Sequence, residues 1–120
     1  MKEKPLFWLG SARRDLKRFP SEVRREMGFA LYRAQLGGRH ANAKPLKGFQ
    51  GAGVLEVIED MRGDTYRAVY TVRFSGVVYA IHAFQKKPKQ GRKTPKREID
   101  LIRERLRDAK EHYESWLQNR

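Results

Sequence analysis

Between residues 54 and 84 three β-rich runs follow one another almost without a gap, and nothing else in the chain constrains its fold as tightly. Residues 54–59 form the first run, ended by a turn at Arg62, Gly63 and Asp64. Residues 65–74 form the second, ended at Ser75 and Gly76, and residues 77–84 form the third. Turns this short leave room only for hairpins, so the runs predict an antiparallel meander. Side chains alternate across a strand. The second run then places Tyr66, Ala68, Tyr70, Val72 and Phe74 opposite Arg67, Val69, Thr71 and Arg73. In the third, strict alternation sets Val78, Ala80, His82 and Phe84 opposite Val77, Tyr79, Ile81 and Ala83. Both faces are largely apolar, as expected of a sheet that helices cover on one side.

The flanks supply those helices. Residues 6–9 read as a short buried strand stopped by Gly10. Ser11 is placed to cap a helix to about residue 18, with Ala12, Leu16 and Phe19 as its apolar face. Pro20 and Ser21 begin a second helix, which carries Val23, Met27, Ala30, Leu31 and Ala34 at helical spacing and stops at Gly37 and Gly38. Together they predict a helical hairpin with a basic outer face of Arg13, Arg14, Lys17, Arg24, Arg25 and Arg33. Residues 37–53 read as an irregular loop. A last helix is expected over 95–117, with Thr94 as its cap and Pro95 in its first turn. Ile99, Ile102, Leu106, Ala109, Tyr113 and Trp116 form its continuous apolar stripe, which should pack on the sheet. The order βααβββα defines an α+β fold: an N-terminal helical hairpin, a mainly antiparallel twisted sheet and a long C-terminal helix in one domain spanning residues 1–120.

Charge narrows the possible functions. Lys and Arg number 27 against 14 Asp and Glu, a net charge of +13. Such an excess points to a polyanionic partner. With no cysteine, disulfides, thiolate catalysis and cysteine-based zinc sites are excluded. The apolar run at residues 6–9 is too short for a signal peptide or a membrane span, so no membrane association and a cytoplasmic location are expected. Residues 86–97 hold seven Lys or Arg among twelve positions and no acid, and read as a solvated, mobile basic loop.

The few polar residues within the strands stand out. Arg67 either pairs across the sheet with Glu56 or Glu59 or clamps a phosphate, whose geometry a guanidinium matches. His82 is either a satisfied, half-buried histidine or an acid–base group near neutrality. Glu56 is either structural or the acceptor of a proton from a ribose 2′-hydroxyl. Tyr66, Tyr70, Phe49 and Phe84 are available to stack on bases, although most aromatics in so small a domain must be core. RNA can be cut without metal when a 2′-hydroxyl attacks the adjacent phosphorus, given groups that position the strand, stabilise the phosphoryl charge and move two protons. No acidic cluster suggests a two-metal nuclease, and His40, His82 and His112 lack metal-ligand spacing, so neither a metal nor a cofactor is expected.

The stretches AKPLKGFQGAGVLEV, DTYRAVYTVRF, VVYAIHAFQKK and TPKREIDLIRERL, with the opening PLFWLGSARRDLKRFPSEVRREMG, resemble the phage-derived, HigB-like branch of the RelE/ParE toxin superfamily. The resemblance spans about residues 5–106. It implies the toxin of a type II toxin–antitoxin system, neutralised by a cognate antitoxin, in this branch often a helix-turn-helix, HigA-like protein. RelE-like members cleave messenger RNA in the ribosomal A site and leave a cyclic phosphate. Their groove holds an Arg early in the second central strand, matched by Arg67, and a basic residue just past the third, matched by Lys86 or, better by spacing, Lys87. The candidate catalytic set is therefore Arg67, Lys87, Lys86, His82 and Glu56, with Lys44, Lys47, Arg73, Lys89, Arg92, Lys93 and Lys96 as RNA-binding residues. This chain departs from RelE in carrying Glu56, Glu59 and Asp60 where RelE has lysines, and in lacking a counterpart for RelE's tyrosine near the C-terminus. Two other readings share these features: a ParE-like, non-enzymatic inhibitor of DNA gyrase, and a basic nucleic-acid-binding module without activity.

Overall fold

The computed structural model describes residues 2–51, 53–86 and 94–120. Its elements are β1 (Leu6–Trp8), α1 (Ala12–Lys17), α2 (Ser21–Gln35), β2 (Ala43–Pro45), β3 (Val54–Met61), β4 (Asp64–Thr71), β5 (Val78–Lys86) and α3 (Lys96–Gln118). The strands make one sheet in the order β1-β5-β4-β3-β2. The β1–β5 pair is parallel and the other pairs are antiparallel. This is the α+β architecture expected from the sequence, with one addition. The segment read as irregular contains the short edge strand β2, which pairs Lys44 with Glu56. Three residues are too few to show a periodicity, so only the neighbouring strand reveals this one.

The β3–β4 hairpin turns on two residues, Arg62 and Gly63, with Met61 paired to Asp64. Both central residues have positive φ, 52° and 85°. A tight antiparallel turn that follows the right-handed strand twist requires that geometry, and glycine adopts it without strain.

Helices cover both faces of the sheet, where one was expected. The α1–α2 hairpin packs Leu16, Phe19, Val23, Met27, Ala30 and Leu31 against Leu55, Val57, Ala68, Tyr70, Val78 and Ala80. On the opposite face α3 lays Ile102, Leu106 and Ala109 over Val54, Val69, Val77, Tyr79 and Ile81. Two covered faces explain why the central strands are apolar on both sides. They also account for Tyr66 and Tyr70, offered by the sequence for base stacking. Both are buried under the hairpin, where Tyr66 packs on Phe19 at 4.9 Å.

Strict alternation fails in β5. Val69 pairs with His82, but the next residue, Tyr70, pairs with Ala80, which leaves Ile81 as an extra residue in a bulge. From this point on the faces exchange. His82 and Phe84 lie on the same side as Ile81, facing α3, and Ala83 joins Val78 and Ala80 under the hairpin. The expected grouping of Val78, Ala80, His82 and Phe84 on one face is thereby corrected.

The helix caps differ as well. Ser11 occupies the position before α1 but makes no capping bond; its hydroxyl donates to the Asp15 carboxylate at 2.7 Å. Pro95, not Thr94, immediately precedes α3. Of the basic loop expected over 86–97, Lys86 instead closes β5, Lys96 and Arg97 open α3, and residues 87–93 lie outside the described residues.

Ile102 is fully buried between α3 and the sheet, whereas Leu117 on the last turn is 45% exposed. Ile102→Ala should lower unfolding free energy by about 2–5 kcal/mol, and Leu117→Ala by less than about 0.5 kcal/mol. Urea denaturation of the two variants measures both.

Candidate functional site

The sheet register gathers four ionisable side chains on the face toward α3, near the start of that helix. Glu56 lies level with Val69 and His82, Arg67 with Ile58 and Phe84, and Lys86 with Thr65. With a side-chain period of two, positions 56, 67, 82, 84 and 86 all point to one side once the bulge is passed. Glu56, Arg67 and His82 are each 6% exposed and Lys86 is 2% exposed. These are uncommon places for charge, since burying an ion costs several kcal/mol without a partner.

The partners are explicit. Arg67 Nη1 donates to Glu56 Oε1 at 3.1 Å and to Thr94 Oγ1 at 3.2 Å. Thr94 in turn donates its hydroxyl to Glu56 Oε2 at 3.0 Å. Thr94 therefore bridges the ion pair from the segment that leads into α3, which is why its hydroxyl is not used as a helix cap. Of the two readings open for Arg67, the pairing with Glu56 is the one present in this conformation.

Lys86, expected in a solvated loop, is instead the last residue of β5 and is buried. Its Nζ has no hydrogen-bond partner among the described residues. Burial, and then the neighbouring Arg67 charge, hold its pKa below the ordinary lysine value, against an opposing pull from Glu56. The amine is thus easier to deprotonate than a surface lysine.

His82 is held entirely by side chains of α3. Arg105 Nη1 donates to Nδ1 at 3.1 Å, and Nε2 lies 3.2 Å from Glu98 Oε2. A guanidinium can only donate, so Nδ1 accepts and the ring proton sits on Nε2, facing Glu98. Burial lowers the His82 pKa below 6.5, and the Arg105 charge adds to this, while Glu98 and Asp15 oppose it. The hydrogen-bond geometry and the cost of burying charge both favour a neutral ring whose two nitrogens are occupied. Phe84 stacks against it with ring centroids 5.1 Å apart.

Glu98 and Arg105 were not singled out from the sequence, and Thr94 only as a helix cap. Glu98, Ile102, Arg105 and Ala109 form one row along α3 at spacings of four, three and four, so the two charged residues border the apolar stripe. Charge at the margin of a buried stripe was the available signal.

The other expected site residues are not part of the buried cluster. Lys44 and Lys47 are exposed, Lys44 on the edge strand β2 directly opposite Glu56. Lys96 is exposed and bonds Asp100 one turn along α3 at 2.9 Å. Arg73 is exposed two residues beyond the end of β4, away from Arg67, and donates to the Gln50 carbonyl at 3.1 Å. Lys87, Lys89, Arg92 and Lys93 lie outside the described residues.

The structure also brings together Glu26, His40 and Glu59, a grouping the linear spacing did not show. His40 Nδ1 accepts the Asn42 backbone N–H at 3.0 Å, which leaves the ring proton on Nε2, 3.1 Å from Glu26 Oε2. A metal at Nε2 would need that lone pair, so the hydrogen bonding satisfies this histidine as a structural group. No helix of the described residues is long and apolar enough to cross a membrane.

Comparison with known proteins identifies the family. Residues 14–107 match the family described as Phage derived protein Gp49-like (DUF891). The chain belongs to this Gp49-like family. The phage-derived assignment drawn from the sequence motifs is thereby borne out. No curated protein matches the sequence. Among solved structures, this Gp49-like protein is similar to a chain in the crystal structure of the toxin–antitoxin complex RelBE2 from Mycobacterium tuberculosis. That match has 21% identity and a TM-score of 0.45, and covers 72% of this chain and 94% of the other.

Two outcomes are expected of the Gp49-like cluster. Glu56→Ala removes a carboxylate partner of a buried guanidinium, so unfolding free energy should fall by on the order of 3 kcal/mol, and Thr94→Val should lower it by about 1 kcal/mol. For His82, the depressed native pKa means that the unfolded chain takes up a proton near pH 6.5 while the folded chain resists it. Its contribution to stability is therefore intact above about pH 6.5 and declines as pH falls below it, by at most about 1.4 kcal/mol per pH unit. Urea midpoints across this range should fall more steeply for the wild type than for His82→Gln; equal slopes would refute the assignment.

Proposed function

We propose that this protein is the toxin of a type II toxin–antitoxin pair and that it cleaves messenger RNA on the ribosome as a metal-independent endoribonuclease. The observation that carries this reading is the Arg67–Glu56–Thr94 cluster with Lys86 on the same face, built into the sheet beneath the start of α3. Membership of a phage-derived family, a net charge of +13 and the motif resemblance support it. A HigA-like helix-turn-helix antitoxin and a cytoplasmic site of action belong to the same reading.

In the proposed reaction the ribose 2′-oxygen attacks the adjacent phosphorus. The bond from phosphorus to the 5′-oxygen breaks, leaving a 2′,3′-cyclic phosphate and a 5′-hydroxyl. Arg67 holds the phosphoryl oxygens, where charge accumulates. Glu56, freed when phosphate replaces it on Arg67, accepts the 2′-hydroxyl proton. Lys86 or Lys87 returns a proton to the leaving 5′-oxygen; the lowered pKa of Lys86 suits that role. His82 is placed behind this cluster as a neutral group held by α3, not as the base. Because Arg67 is 6% exposed under Thr94, the segment leading into α3 must lift for RNA to enter.

The closed Arg67–Glu56 pair also favours a second reading, in which Arg67 is structural and the protein is a ParE-like, non-enzymatic inhibitor of DNA gyrase.

Induced expression in a bacterial host, followed by primer extension on abundant messages, separates the two. The wild type should arrest growth and produce new 5′ ends inside translated regions. Arg67→Ala and Lys87→Ala should lose both effects, by about a hundredfold or more in cleavage, while still binding the antitoxin as a check of folding. Growth arrest with intact messages and altered DNA supercoiling would establish gyrase inhibition instead.

A further inference from the structure

A second basic surface lies on the α3 side of the molecule, past the far end of β4 from Arg67. Arg67 is the fourth residue of β4 and Arg73 lies two residues past its end. Six residues of extended chain separate them by at most about 20 Å. Arg73, Arg103, Arg107 and Lys110 rim a depression of about 480 Å³ whose floor includes Phe49 and Phe74. Among the described residues no acidic side chain lines it.

Two of the four cations are held in place. Arg73 donates one N–H to the Gln50 carbonyl at 3.1 Å, and its own backbone N–H bonds the Thr71 hydroxyl at 3.1 Å. Gly53 permits this approach, since a Cβ there would lie 3.2 Å from the Arg73 Cβ. Arg103 donates to the Gly48 carbonyl at 3.1 Å and places its guanidinium over the Phe49 ring, 4.6 Å from the centroid. Each guanidinium spends one donor on the protein and keeps the others for a ligand. Arg103, Arg107 and Lys110 follow one another at spacings of four and three, so they share a single exposed face of α3.

Fixed guanidiniums above an aromatic floor form the chemistry of a single-stranded nucleic-acid site, with phosphates on the rim and a base on the rings. We propose that this surface binds single-stranded RNA and holds a stretch of the message away from the Arg67 cluster. The proposal deepens the ribonuclease reading and rests on it. An acidic segment of a protein partner would meet the cations but would have no use for the half-buried Phe49 and Phe74 rings among them, one already stacked under Arg103.

The test uses a short fluorescent 2′-O-methyl oligoribonucleotide, which cannot be cleaved, and follows its binding by anisotropy against salt. Arg107→Gln/Lys110→Gln removes two exposed charges that make no hydrogen bond or ion pair within the described residues. Arg13→Gln/Arg24→Gln removes the same charge from the hairpin on the opposite face. The first pair should reduce the slope of log affinity against log salt by about 1.4, and weaken binding about tenfold near 0.15 M salt. The second should leave the slope as in the wild type. Equal losses in both pairs would reduce the effect to net charge and overturn the site. An unchanged slope in the first pair, with the wild type binding RNA, would overturn this surface alone. A wild type that does not bind the oligonucleotide would overturn this surface alone, since cleavage on the ribosome is read separately by primer extension. Loss of antitoxin binding in the first pair, with RNA binding intact, would assign the surface to the protein partner.

Discussion

The Arg105 guanidinium of α3 joins three elements through hydrogen bonds: α3 itself, β5 and the turn into α1. One nitrogen donates to the Ile81 carbonyl at 3.0 Å and to His82 Nδ1 at 3.1 Å, and the other to the Ser11 hydroxyl at 3.0 Å. Ile81 is the bulged residue of β5, so Arg105 satisfies a carbonyl beside the irregularity. Ser11 passes the connection to Asp15 in α1. Gly10 is required beside it. It adopts φ +51°, and a Cβ there would lie 2.8 Å from the Arg105 guanidinium. The position of α3 over the sheet, the tautomer of His82 and the turn from β1 into α1 all depend on this one side chain.

The same bulge determines which residues can act together. Without it, period-two alternation would send His82, Phe84 and Lys86 to the hairpin side, away from Arg67 and Glu56. With it, the ionisable groups of three strands share one face, and the start of α3 closes over them. Within the cluster Glu56 offsets the charge of Arg67, while Glu98 accepts a hydrogen bond from Nε2 of the neutral His82. The net +13 is carried mainly outside the helices: the six acids of α3 balance its six bases, α1 and α2 together hold a net +3, and residues 86–93 supply five Lys or Arg with no acid.

Much of this was legible in the residues themselves. The three β runs, a turn at Arg62 to Asp64, the apolar stripe from Ile99 to Trp116 and the hairpin helices all follow from local periodicity and backbone preference, which act over a few residues. Arg67, Glu56, His82 and Lys86 could be singled out as polar positions at or beside apolar strands. Their arrangement could not. Whether Arg67 meets Glu56 or Glu59 depends on strand register, and the face of His82 depends on a bulge that hydrophobic alternation does not mark. Thr94 read as a helix cap because Ser and Thr favour that position; the buried charges of two other strands drew its hydroxyl away.

Sequence alone therefore determined the class of fold, the basic character and the short set of residues able to do chemistry, since composition, side-chain period and turn preference are local properties. Tertiary structure decided that both sheet faces are covered, that Arg67 is paired and enclosed, that His82 is neutral with its ring nitrogens held by α3, and that a second cationic surface forms around Phe49. Each of these depends on groups distant in the chain. Only packing sets the burial and the partners that fix a charged group's protonation and availability.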